Sequence, residues 1–149
     1  MKKILKKLLT VNTVFLDLDA DTKDGIIAEM VNRLCAAGKI SDCEAVLQAI
    51  LFRENKMSTG MENGIAIPHG KTDQVKELVA AIGRKIEGVD FDSMDQQPSR
   101  IFIMTVSPAS HSGPHLQFLA EVSKLLKDEE PRRRILEAKK VEDVIHVFV

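Results

Sequence analysis
The residues best suited to chemistry gather in one stretch, RENKMSTGMENGIAIPHGK, residues 53–71. His69 stands near its end, between Pro68 and Gly70. A neutral imidazole is a nucleophile near pH 7, because its ordinary pKa is about 6.5. Pro68 fixes the chain before the ring. Gly70 leaves room for a bulky group or another backbone to approach. Arg53 offers a guanidinium fork that matches phosphate oxygens. Ser58, Thr59 and Gly60, then Asn63 and Gly64, add hydroxyls and Gly-flanked N–H groups of the kind that form small anion nests. Each residue also admits a plainer reading: His69 as a satisfied loop histidine, Arg53 as one half of a structural ion pair.

His115 opens a second block, HLQFLAEVSKLL, residues 115–126. Pro114 suits the first turn of a helix there. The free N–H groups and positive dipole end of such a helix favour an anion. The plainer reading is a buried histidine with one good hydrogen bond. His111 and His115 have zinc-like spacing, but Gly113 and Pro114 interrupt any helix between them. No ExxH or cysteine set completes a ligand count, so no metal site is expected. DFDSMDQQ (90–97) offers DxDxxD, yet Met94 and Ile101 fall where a calcium loop needs oxygen ligands. No Walker motif and no GxGxxG follows a strand, so neither nucleotide nor other cofactor is expected. His146 falls in a terminal amphipathic helix with no partner motif and reads as structural or surface.

The totals narrow the classes. A net charge of −1 over 149 residues argues against an electrostatic grip on nucleic acid. Without Trp or Tyr, and with six Phe outside any basic run, no base-stacking platform is indicated. Cys35 and Cys43 form no CxxC pair and read as two reduced helix cysteines of a cytoplasmic protein. No apolar run is long enough to span a membrane. MKKILKKLLT is too short and broken for a signal peptide. It reads as a lead-in segment packing Ile4, Leu5 and Leu8 on the domain, in preference to an amphipathic anchor.

The positioning elements follow from periodicity. TVFLDLD (13–19) alternates like a strand. Asp21 or Thr22 caps a helix with Ile26, Met30 and Leu34 on one stripe, closed by Gly38. SDCE (41–44) reads as a capping box, Ser41 with Glu44. The helix it starts carries Val46, Ile50 and Arg53 on one face. IAIP is a short strand that Pro68 ends. ELVAAIGRKI (77–86) is a strand with a possible bulge at Gly83. IFIMTV (101–106) is a central strand buried on both faces. Pro131 starts a short basic helix, and VEDVIHVF forms a last one. The pattern predicts one domain over 1–149: α+β, a three-layer α/β/α arrangement with a central mixed β-sheet flanked by helices.

With these residues assembled, 53–71 resembles the phosphorylation region of the fructose/mannitol-type EIIA domains of the sugar phosphotransferase system. The pattern RE, a spacer, STG, then NGIAIPH is present throughout. VDFDSMDQQPSRIFIMTVSP followed by HLQFLAEVSKLL resembles a second block, and the likeness covers roughly residues 8–148. It implies that His69 carries a phosphoryl group on Nε2, that Arg53 contacts it, and that His115 is the second active-site histidine. It implies phospho-HPr or a paralogue as donor, an EIIB cysteine or regulatory proteins as partners, no metal and no membrane insertion. Met57 and Met61 are candidate contact points for a partner. Gly70 stands where many sugar-specific members have Ala, and His111 is extra. No fused EIIB or EIIC segment is expected in this length. A sugar-uptake subunit and the nitrogen-regulatory branch fit equally well.

Overall fold
A computed structural model describes residues 2–149. Its centre is β5 (Ser99–Ser107), the apolar run of the sequence, buried at every position except Arg100. β4 (Val79–Val89) pairs antiparallel with it, Ile82 opposite Ile103. β1 (Val14–Phe15) lies parallel to β4. β2 (Ile65–Ala66) and β3 (His69–Lys71) both lie parallel to β5 on its other side. The sheet is therefore mixed, as the absence of a helical pattern between the β4 and β5 sequences required.

Side-chain alternation assigns the two faces. Ala81, Phe102, Met104 and Val106 meet α2 (Lys23–Ala36) and α3 (Cys43–Lys56) through Ile26, Ile27, Met30, Leu34, Val46 and Ile50. Ala80, Ile82, Ile101 and Ile103 meet α1 (Lys2–Leu8), α4 (Gly113–Leu126), α5 (Glu129–Glu137) and α6 (Val141–Phe148). There the partners include Leu5, Phe118, Val122, Leu126, Ile135 and Phe148. Each such side chain contributes about 2 kcal/mol on burial. The result is a three-layer α/β/α domain. The lead-in segment is α1, and its Leu5 is buried in the second core.

Several local readings change. The strand read over 13–19 contracts to Val14–Phe15: beyond it the Leu16 carbonyl accepts from the Arg84 side chain, and the Glu29 carboxylate takes the Asp19 N–H. Thr22 does cap α2, accepting from Gly25 N. The cap of α3 is Asp42, not Ser41: its carboxylate accepts from Ala45 N at 3.1 Å. Glu44 instead accepts from Gln48 Nε2. Gly83 is no bulge. It pairs regularly with Phe102, and a Cβ there would lie 2.7 Å from Leu18 Cδ1 and 3.1 Å from Met30 Sδ, so glycine admits Leu18 and α2. The irregularity falls later, between Arg84 and Val89.

The two cysteines are not reduced: Cys35 and Cys43 form a disulfide. Cys35 lies in the last turn of α2 and Cys43 begins α3, and the tight turn through Gly38 (φ 76°) brings their Cα atoms to 6.1 Å. Spacing in sequence hid this, because the pairing depends on the turn. Among the described residues, no helix is long and apolar enough to cross a membrane.

Candidate active site
Pro68 interrupts the edge strand without ending it. Ile65 pairs with Ile101 and His69 with Thr105, the same register offset on both sides of the proline. Pro68 lacks an N–H, but its carbonyl still accepts from Thr105 N. Alternation then sends Ile65, Ile67 and His69 toward the α4 layer, and Ala66 and Gly70 toward α3. A Cβ on Gly70 would lie 2.9 Å from Ile50 N and 3.0 Å from Ala49 C. Of the two uses for Gly70, close approach of a backbone is the one seen here. That approach brings the end of α3, and with it Arg53, beside His69.

The His69 ring is half-buried, with Nδ1 2.8 Å from the Ile67 carbonyl oxygen. A carbonyl only accepts, so Nδ1 carries the proton and Nε2 keeps its lone pair. The acceptor is the backbone of the residue two positions back. His115 is buried in the first turn of α4, its Nδ1 3.0 Å from Thr105 Oγ1. The two imidazole centroids lie 5.1 Å apart. Burial lowers the His69 pKa, and Arg53 and Lys71 add to this against the Ile67 bond and Glu54. Burial, then His69 and Lys71, lower His115 to about 4. Both rings are therefore neutral near pH 7.

These rings line an open cavity with Arg53, Lys56, Lys71, Thr72 and Ser112. No Asp or Glu is among its lining residues. Among the described residues, none of the three cations makes a side-chain ion pair. Arg53 donates to the Met57 carbonyl at 2.7 Å, which holds its fork at the cavity edge. The site is thus built to meet an anion. Phe52 and Leu116, 64% and 63% exposed, also line it. Sequence reading missed both as surface features, since each sits within an otherwise amphipathic helix.

The other candidate residues take different places. Ser58, Thr59, Gly60, Asn63 and Gly64 do not line this cavity. Ser58 Oγ donates to the Phe91 carbonyl and accepts from Gly60 N. Thr59 donates to Glu54 from its backbone N–H at 2.8 Å and its hydroxyl at 2.6 Å. Lys23 Nζ lies 2.8 Å from the same carboxylate. Asn63 (φ 63°) and Gly64 (φ 75°) form the left-handed turn that feeds β2. His111 is exposed and outside the cavity, and His146 is exposed on α6. Glu54, only 4% exposed, is the residue sequence reading overlooked. It completes the Val46–Ile50 stripe at helical spacing, whereas Arg53 is displaced toward the cavity. Among the described residues, no group of three or more His, Cys, Asp or Glu is placed to hold a metal ion.

An Arg53→Lys variant tests the fork. It keeps the charge and loses the planar pair of donors. On the expectation that His69 accepts a phosphoryl group, the variant's effect is a roughly tenfold slower acceptance, measured at unchanged circular dichroism. A wild-type rate would refute bidentate contact.

A neutral histidine with Nδ1 held by a carbonyl, sharing a cavity with three unpaired cations on a three-layer α/β/α scaffold, makes a site with the charge to hold an anion. The profile of the family described as phosphoenolpyruvate-dependent sugar phosphotransferase system, EIIA 2, matches residues 7–149. The chain belongs to this family of phosphotransferase components, which includes fructose, mannitol and nitrogen-regulatory members. It is 39% identical over 127 residues to the fructose-specific EIIA component of Haloferax volcanii, covering 85% of this chain and 82% of that one. It is 40% identical over 144 residues to the fructose-specific EIIABC component of Bacillus subtilis, covering 97% of this chain but only 23% of that protein. Its fold superposes on the nitrogen regulatory protein IIA-Ntr of Neisseria meningitidis with a TM-score of 0.90, covering 99% and 100% of the two chains at 25% identity.

Proposed function
We propose that this chain is an EIIA phosphocarrier that takes a phosphoryl group on His69 from phospho-HPr or a paralogue and passes it to an EIIB cysteine during fructose- or mannitol-type sugar uptake. The observation that carries this reading is the His69 ring, held by Ile67 with Nε2 free, in a cavity with three unpaired cations and no carboxylate. The donor docks over the cavity, with exposed Phe52, Leu116 and Met57 as apolar contacts. Nε2 of His69 attacks phosphorus in line. The bond from phosphorus to the donor's histidine nitrogen breaks as the new P–N bond forms, and the donor's imidazole leaves with the electron pair. Such transition states ask mainly for positioning and charge stabilisation. Arg53 neutralises equatorial oxygens, and His115 donates a hydrogen bond from its helix start. A second in-line displacement by the EIIB thiolate restores neutral His69. Cys35 and Cys43 are bonded to each other and take no part.

The test is transfer of labelled phosphate from phosphoenolpyruvate through Enzyme I and HPr. The expected product is one acid-labile, alkali-stable phosphoryl group per chain, which a fructose-type EIIB then removes. No label from HPr or its paralogues would refute the proposal. A second reading, control of regulatory partners by the phosphorylated state, is supported by the close superposition on IIA-Ntr. Label that is accepted but never passed to an EIIB favours that reading.

The neutral histidines predict a pH dependence of stability. Their folded pKa values lie below the ordinary histidine value, His115 at about 4. Between these values the unfolded chain binds more protons, so stability rises with pH there. It is full above about pH 6.5 and is lost as the pH falls toward 4. Urea unfolding near pH 7.5 and pH 5 should show this loss, and His115→Gln should reduce it. An equal loss in the variant would show that His115 is not its source.

A further inference from the structure
We infer that Thr105 is a positioning residue that sets His115 in the tautomer opposite to that of His69, so that the cavity receives one lone pair and one N–H donor. This rests on the phosphocarrier reading above for its purpose, but not for its geometry. Thr105 is fully buried in the central strand, beyond reach of solvent. Its hydroxyl has a single partner among the described residues, His115 Nδ1 at 3.0 Å. Two arrangements exist for that pair. If Nδ1–H donates, the Thr105 proton is left in the core without an acceptor. If the hydroxyl donates to Nδ1, both groups are satisfied. Buried donors are rarely left unmade. The second arrangement therefore holds, and the neutral His115 ring carries its proton on Nε2.

The same residue also touches the nucleophile's strand. Thr105 pairs in register with His69, and its N–H donates to the Pro68 carbonyl. His69 is fixed by the Ile67 carbonyl with its proton on Nδ1. The two rings, 5.1 Å apart, thus present unlike Nε2 atoms. His69 offers the lone pair that attacks phosphorus. His115 offers a donor to a phosphoryl oxygen. Two rings of like tautomer could not divide these roles.

The experiment is 15N NMR of the histidine rings in wild type, Thr105→Val and Thr105→Ser, paired with the rate of phosphoryl acceptance from phospho-HPr. Wild type should show a protonated Nε2 and an unprotonated, hydrogen-bonded Nδ1 on His115. Thr105→Val should mix the two tautomers and slow acceptance roughly tenfold. Thr105→Ser should restore both the spectrum and the rate. A proton on Nδ1 of His115 in wild type overturns the inference, even if the valine variant does not fold. So does a folded valine variant with unchanged ring shifts and rate. A chain that accepts no label fails as a phosphocarrier, while the wild-type spectrum still decides the tautomer.

Discussion
His69→Ala should accept no phosphoryl label, with transfer at the background of a reaction lacking the protein. The size of this effect follows from geometry. Among the described residues, only His69 has a ring nitrogen held by a backbone carbonyl and its Nε2 without a partner. His115 does not replace it, because its ring is buried and its Nδ1 is engaged by Thr105. His111 is exposed, outside the cations that would receive the phosphate. The fold should survive, because His69 is half-buried on the edge strand and its backbone pairing does not use the ring. Circular dichroism and thermal melting close to wild type would show this. Stoichiometric label in the alanine variant would move the acceptor elsewhere and undo the site.

Glu54→Ala should cost about 3 kcal/mol of stability. The carboxylate is 4% exposed and accepts from the Thr59 N–H, the Thr59 hydroxyl and Lys23. Removing it strands both donors of a buried threonine and takes away the shortest contact of Lys23. Lys23 keeps only longer contacts, to Asp92 and the Phe91 carbonyl. In a domain of this size the melting temperature should fall by roughly 10 °C. Glu54→Gln should lose less, since the amide oxygen still accepts from Thr59. A melt within a degree or two of wild type would show that this clamp does not hold the loop. The alanine variant should also transfer phosphate more slowly, because Arg53 is fixed through Met57, next to the released loop.

Periodicity revealed most of the layers, and proline and glycine flanks marked part of the candidate site. The apolar run at 101–106 and the stripes on the helices specify which faces meet. His69 and His115 stood out because Pro68 and Pro114 gave each an unusual setting. What stayed hidden depends on contacts between distant residues. Glu54 looked like an ordinary helix carboxylate until Thr59 and Lys23 converged on it. Arg53 was read as facing inward, when a rotation of one residue separates the buried carboxylate from the cavity cation. The STG sequence suggested an anion nest, yet its hydroxyls are engaged with Glu54 and Phe91. The disulfide required the turn at Gly38, and Thr105 looked like one more β-branched strand residue. Gly70 was legible as a need for space, but only the packing of α3 shows what fills it.

The most direct measurement is the position of the phosphoryl group in the phosphorylated protein, read by 31P and 15N NMR of labelled histidine. With Nδ1 of His69 bonded to the Ile67 carbonyl, phosphorus must join Nε2 of His69. That single site, with the proton retained on Nδ1, is the predicted result. Phosphorus on Nδ1 of His69, or on His111 or His115, would contradict it.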